Sequence, residues 1–439
     1  MKRKIETTLE DWKNSKNRKV MLVRGARQVG KTFSIRHLGE LFDHLLEVNF
    51  EEEPEIGQFF EKSLNVDDIC EKLSAYYNVP IIPGKTLLFF DEIQACPDCL
   101  RSLRFFYEKM SNLHVIAAGS LLEFTLSDIP SFGVGRISSI FMYPMTFEEF
   151  LMAIGEESLF KIIQQKDGLS PIDQLFHDKL LEKLKTYLII GGMPAVVNSY
   201  RLEKDLRECM FIIDELLTSI QDDFSKYKKR ARVPQLLETF NSIAYQTGGK
   251  FKYSNVSKNE TAYKVKQSLE LLLKAGIAHK IHHTSARGIP LGAQISSKKF
   301  KVIIFDCGLQ NRILGLDLSK HLLKSHADLI NKGSLAELFV GLELIANGSP
   351  RLAPRLFYWH REAKSSNAEV DYIIQKNEVI IPLEVKSGVK GSMQSMNLFL
   401  SERNLKKGIR VSHENFSTYK KICSIPIYSV SQIPTMDLE

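Results

Sequence analysis

Short apolar runs that stop abruptly at a charged or small polar residue mark the first third of the chain. The run 20–23 stops at Arg24, the run 87–90 at Asp91 and Glu92, and the run 115–118 at Gly119 and Ser120. Unbroken apolar runs of this length read as buried strands of a parallel sheet. Sheets of that kind present ligands at the carboxyl ends of their strands. After the first run, 33–41 reads as a helix.

Further along, the pattern changes. Segments 206–220, 236–245 and 260–273 read as helices, the last with Tyr263, Val265, Leu269 and Leu272 as core positions. Segments 277–282 and 298–306 read as strands on either side of a polar turn at 285–288. Helices followed by a hairpin suggest a winged helix. Near the end, 332–344 reads as a helix and 356–360, 368–374 and 379–387 as strands. The four residues 375–378 between the last two suit a hairpin.

Composition narrows the class. The chain has 439 residues, 44% hydrophobic and 25% charged, with six cysteines. That length suits several domains and that composition is ordinary for a globular protein. The pattern lacks an apolar run of about 18 residues, so no transmembrane helix is expected. The basic start Met1 to Lys4 lacks the apolar stretch of a signal peptide. A cytoplasmic location is expected. Cys96 and Cys99 form a CxxC pair, but no second pair or nearby histidine completes a zinc site. Pro97-Asp98 between them favours a turn leading into a helix. The net charge of +7 favours an anionic partner such as DNA. The densest basic cluster, 226–232, also reads as a solvated face.

The apolar runs carry the chemistry. Between the first run and its helix lies Gly25-Ala-Arg-Gln-Val-Gly30-Lys31-Thr32, a GxxxxGK[ST] phosphate loop in strand–loop–helix context. Its backbone N–H groups and the following helix N-terminus form a nest for phosphate. The expected cradle is Gly25, Gln28, Gly30, Lys31, Thr32 and Phe33. Lys31 is expected on the β/γ-phosphates, and Thr32 and Asp91 on Mg²⁺. Glu92 is placed to position or activate the attacking water. Ser120 is expected either to sense the γ-phosphate or to cap a helix, since Glu123 follows at capping-box spacing. Thr146 to Glu149 repeats that spacing. Arg136, flanked by Gly135, is a candidate for stabilising developing phosphate charge, in this subunit or a neighbouring one. An ordinary ion-pair arginine is the competing reading.

With these segments in hand, the chain resembles the AAA-like P-loop ATPases that carry a C-terminal DUF4143 region. The shared stretches are the phosphate loop, Phe89 to Gln94, Ala117 to Ser120, Gly135-Arg136, Pro144 to Phe150, and Gly191-Gly192-Met193-Pro194. The last reads mechanically as a helix stopped by a glycine pair and a proline. The resemblance covers most of the chain. It implies an α/β architecture: an AAA-like parallel-sheet ATPase domain (1–205), a helical and winged-helix-like region (206–330), and a DUF4143-type domain (331–439) of restriction-endonuclease-like fold. It also favours ATP over GTP, because no NKxD element follows the loop.

The C-terminal strands resemble the PD-(D/E)xK nuclease arrangement. There Asp371 would be the first metal carboxylate, Glu384 and Lys386 would form the ExK pair, and Glu337 would match an acidic helix position. Carboxylates on adjacent strands can clamp a metal on a phosphate, while a lysine two residues along shares their face. These residues form a second candidate site, with DNA as the implied partner. Lys264 and Lys266 in the winged-helix-like region could also meet DNA, or that region could dock a protein.

Overall fold

The structure is a computed structural model that describes residues 1–61, 63–120, 122–128, 135–165, 169–227, 230–316, 333–361, 367–386, 393–434 and 436. Two compact units share the chain. The first holds Met1–Tyr143 with Lys274–Gly276 and Ser349–Ala353, and the second holds the rest. Among the described residues, no helix is long and apolar enough to cross a membrane.

The first unit is built on a parallel sheet in the order β2-β3-β4-β1-β5. Its strands are β1 (Val20–Arg24), β2 (His44–Asn49), β3 (Thr86–Asp91), β4 (His114–Gly119) and β5 (Ile137–Phe141). The three apolar runs are β1, β3 and β4, and every residue of β3 and β4 is buried. Flanking helices, among them Val66–Tyr77 and Pro97–Lys109, close over Val48, Leu88, Phe90 and Ala117. The helix after β1 spans Lys31–Gly39. β2 is not among the elements the pattern predicts, because its residues are only partly buried in alternation. Cys96 sits at the start of helix Pro97–Lys109, where its sulfur accepts from the Cys99 N–H at 3.4 Å. The CxxC pair is therefore a helix start, as expected from Pro97.

The second unit holds a mixed sheet in the order β12-β13-β11-β10-β9-β8-β6-β7. These are β6 (Ala278–Thr284), β7 (Ile295–Ile304), β8 (Leu356–His360), β9 (Glu369–Lys376), β10 (Val379–Val385), β11 (Gly408–Ser412), β12 (Ser417–Tyr419) and β13 (Ile422–Pro426). β9 runs antiparallel to its neighbours β8 and β10. β11 returns parallel to β10 after the helix Gln394–Glu402.

The hairpin expected after the helices is β6–β7, but it does not stand apart. β6 pairs in parallel with β8 through Ile281, His282 and His283, so the hairpin extends the C-terminal sheet. Backbone hydrogen bonds thus run across the sequence position 330. The other sequence boundary, near 205, differs from the division of the structure at Tyr143–Pro144. Helix Ala262–Lys274 buries Val265, Leu269 and Leu272, whereas Tyr263, expected in the core, is 69% exposed.

Two sequence punctuations act as read. Thr146 and Glu149 close a full capping box on helix Phe147–Ala153. Helix Gln174–Ile190 stops at Gly191, and Pro194 opens the next helix. Gly191 has φ 77°, and a Cβ there would lie 2.2 Å from Asp306 Oδ1. Only glycine fits both constraints.

Candidate functional site

The phosphate loop leaves the carboxyl end of β1 and enters helix Lys31–Gly39 directly. Gly25 has φ 149°, and a Cβ there would meet the Met142 carbonyl oxygen at 2.2 Å. Gln28 (φ 62°) and Gly30 (φ 96°) also take left-handed conformations. These turns aim successive N–H groups into one concavity. A pocket of about 310 Å³ lies there, lined by Arg27, Gln28, Gly30, Lys31, Thr32, Phe33 and Glu92. Phe33 stands 55% exposed at its rim.

Lys31 is buried and bends back over its own loop. Its Nζ donates to the carbonyls of Gly25 at 3.0 Å and Ala26 at 2.8 Å. Burial draws its pKa down to about 8, against the opposing pull of Glu92 and Asp91. The side chain is charged at neutral pH, and among the described residues no carboxylate contacts it closely.

Strand order brings the other groups to the loop. β4 lies between β1 and β3, so Ser120, Asp91 and the phosphate loop share one edge of the sheet. Thr32 Oγ1 donates to Asp91 Oδ2 at 2.7 Å, and Asp91 Oδ1 accepts from the Glu92 N–H at 2.9 Å. Burial raises the Asp91 carboxyl above its ordinary value, partly offset by those two donors. The adjacent hydroxyl and carboxylate oxygens suit Mg²⁺, which takes one or two protein ligands and fills its octahedron with phosphate and water. Among the described residues, no group of three or more His, Cys, Asp and Glu is placed to hold a metal by itself.

Glu92 adopts φ 46°, rare for a non-glycine residue and found most often where a site demands it. Its Oε2 accepts from Gln94 Nε2 at 2.5 Å. Gln94 is wedged against Gly119, where a Cβ would approach Gln94 Oε1 to 2.0 Å. Ser120 Oγ accepts from Arg27 Nε at 3.4 Å, and Arg27 also pairs with Glu51 at 3.1 Å. Gln94 and Arg27 therefore belong to the neighbourhood of the site, although the motifs alone assign them no role there.

Arg136 is placed elsewhere. It precedes β5, whose first residue Ile137 is in register with Val20, the first residue of β1. That is the amino edge of the sheet, opposite the phosphate loop. Arg136 Nε donates to Glu108 Oε1 there at 2.7 Å.

The second candidate set lies in the second unit. Glu337 stands on helix Gly333–Ala346, Asp371 on β9, Glu384 on β10, and Lys386 just past β10. Glu337 and Glu384 are buried, and Asp371 is a fifth exposed. Lys386 Nζ pairs with Glu384 Oε1 at 2.5 Å. Asp371 Oδ2 accepts from the Val385 N–H at 2.8 Å. The sequence reading did not single out Lys301 on β7 or Glu369 on β9. Lys301 Nζ lies 2.7 Å from Glu337 Oε1, 2.6 Å from Glu369 Oε1 and 3.9 Å from Asp371 Oδ1.

The parallel sheet, the loop and the paired Thr32 and Asp91 define the class: the chain carries an AAA-type P-loop ATPase domain and is an ATPase. Residues 17–151 match the family described as AAA domain. A separate domain follows at 332–430, matching the Domain of unknown function (DUF4143), and 181–320 match the Domain of unknown function (DUF8612). No curated protein matches the sequence. Among solved structures, the chain is similar to a Walker-type ATPase of Pyrococcus abyssi, with 15% identity, 71% of this chain and 95% of that one covered, and a TM-score of 0.47. It is also similar to the Orc1 protein of Aeropyrum pernix in complex with DNA, at 12% identity, 73% and 92% covered, and TM-score 0.24. The RuvB Holliday junction branch migration motor of Thermotoga maritima gives 13%, 62% and 85%, and 0.27. Likenesses at these scores carry no argument.

Proposed function

We propose that this protein is a Mg²⁺-dependent ATPase whose nucleotide state controls what its C-terminal half binds. The observation that carries the reading is the Thr32 hydroxyl on the Asp91 carboxylate at 2.7 Å, beside a buried, charged Lys31 in the loop pocket. Lys31 would exchange its loop carbonyls for β/γ-phosphate oxygens. Thr32 and Asp91 would hold Mg²⁺, which supplies positive charge to the phosphates. Gly25, Gln28 and Gly30 shape the N–H nest, and Phe33 offers an apolar face at its rim. Glu92, held by Gln94, would orient the attacking water, with Ser120 beside it. Arg136 does not reach this chain's own loop from its edge; its pairing with Glu108 supports the ordinary ion-pair reading, and a role at a nucleotide would be at that of a neighbouring copy. All six cysteines are buried and unbridged, which supports a reducing, cytoplasmic setting. Lys31→Ala is expected to abolish ATP hydrolysis. A variant that hydrolyses as fast as the parent overturns the site assignment.

DNA is the partner we propose first. The net charge of +7, and Lys264 and Lys266 on helix Ala262–Lys274, support it. The C-terminal strands support a nuclease-like fold: an antiparallel trio β8–β9–β10, a crossover helix and a parallel β11, with Asp371 and Glu384 on adjacent strands. DNA affinity is expected to differ between the nucleotide-free, ADP-bound and non-hydrolysable-analogue states. Equal affinity in all of them counts against coupling.

A second reading, an ATP-gated protein-interaction switch, draws on two observations. Lys264 is already paired with Glu260 at 3.0 Å, and Glu337 and Glu384 are buried rather than displayed in an open acidic cleft. The same burial disfavours a third reading, an ATP-regulated metal-dependent nuclease. ATP hydrolysis unmoved by single- or double-stranded DNA would select the switch.

A further inference from the structure

Two carboxylates on adjacent strands next to an ExK pair call for a divalent cation. The donor set here does not fit one. A divalent ion bridging such oxygens must sit about 2.0–2.6 Å from them. The space between Glu337 and Glu369 is filled instead by the Lys301 ammonium, 2.7 Å and 2.6 Å from their nearest oxygens. Its stem is 1% exposed and Nζ lies 5.3 Å from the Tyr358 ring centroid, so the ammonium is walled in. Lys301 enters on β7, whose backbone is fixed by β6 on one side and by the Lys250 bridge on the other.

Asp371 and Glu384 are each held through one oxygen. Asp371 gives Oδ2 to the Val385 N–H, and Oδ1 faces Lys301. Glu384 gives Oε1 to Lys386, which leaves Oε2 as its buried oxygen without a hydrogen-bond partner.

We infer that Lys301 is a built-in counter-ion occupying the place of a divalent cation among Glu337, Glu369 and Asp371. That cluster therefore takes no metal while Lys301 is in place. The electrostatics agree. Burial alone would lower the Lys301 proton affinity, but Glu337, Asp371 and Glu369 together outweigh it and raise the pKa. The ammonium is thus a permanent charge at any physiological pH. The inference stands on the geometry of the second unit and does not depend on the ATPase reading.

The test is Mn²⁺ binding to the full chain without nucleotide, read by electron paramagnetic resonance. The Asp91→Asn background keeps the phosphate loop from contributing. In that background no Mn²⁺ is expected at the acidic cluster. Adding Lys301→Met is expected to create a site, with binding tighter by at least tenfold and lost again on adding Asp371→Asn. Bound Mn²⁺ in the Lys301 protein that disappears with Asp371→Asn or Glu384→Gln overturns the inference. So does a folded Lys301→Met protein that takes up no Mn²⁺. Should Lys301→Met fail to fold, the measurement on the Lys301 protein still decides.

Discussion

Lys31 and Lys301 are both buried lysines near acidic side chains, and their surroundings are opposites. Lys31 rests on two neutral carbonyls, with Asp91 and Glu92 acting on it only at a distance, and burial pulls its pKa down to about 8. Lys301 touches two carboxylates, faces a third, and is pushed above the ordinary lysine value. A buried charge without a close counter-ion is costly unless a ligand supplies the anion. The first lysine therefore fits the proposal that it receives phosphate. The second already has its anions, and the structure around it is complete without a ligand. Residue type alone, a lysine beside an acidic pair, does not separate a working site from a structural one. The arrangement of counter-charges does.

Breaking the first site is expected to have the largest effect. Glu92→Gln should lower the hydrolysis rate by about 10²–10⁴-fold while ATP still binds, because the amide cannot activate water but keeps the side-chain shape. Single-turnover hydrolysis and equilibrium nucleotide binding, measured on the same protein, separate the two effects. A rate within a few-fold of the parent removes Glu92 from the chemistry.

Breaking the second should cost stability rather than turnover. Lys301→Met leaves the buried Glu337 and the partly exposed Glu369 without their cation, which costs at most about 3–5 kcal/mol and less where Glu337, whose carboxyl burial already pushes up to about 8, takes a proton. Urea unfolding of the metal-free protein would measure the loss. Adding Glu337→Gln and Glu369→Gln should recover much of it, since the charges that Lys301 answers are then gone. A Lys301→Met protein as stable as the parent would mean that water, not Lys301, solvates these carboxylates.

The two sites also differ in how far the sequence reveals them. The phosphate loop is eight consecutive residues whose spacing is itself the geometry, and the buried runs behind β1, β3 and β4 are equally local. Capping at Thr146 and the stop at Gly191 are local too. The acidic cluster is not. Lys301 meets Glu337 from 36 residues away, and only the pairing of β6 with β8 brings β7 into the sheet that carries Glu369 and Asp371. Periodicity finds the β6–β7 hairpin but not the strand it will join, so the hairpin reads as a wing. Arg136 is open for the same reason: the adjoining Gly135 does not say at which edge of the sheet the residue will lie. Gln94 sits inside a recognised segment, yet its hold on Glu92 depends on the backbone turning to φ 46°.

The finest test of the contrast is protonic. A lysine with a lowered pKa that then receives phosphate must regain its proton, because the new anion favours the charged form. Between pH 8 and the ordinary lysine value near 10.5, ATP binding should therefore take up protons through Lys31. The folding linkage has the matching sign. The unfolded chain binds the extra proton in that window, so the Lys31 contribution to stability improves as pH rises through it. Lys301 contributes with the opposite sign: its stabilisation is complete below its unfolded pKa and fades only as pH climbs through the raised folded one. Calorimetric titration of ATP at pH 8.5, in buffers of different ionisation enthalpy, should show uptake of a large fraction of one proton. At pH 6.5, where Lys31 is already charged, the Lys31 share of the uptake should vanish. Equal proton exchange at the two pH values would mean that Lys31 is not held short of its counter-charge, and the contrast between the two lysines would lose its physical basis.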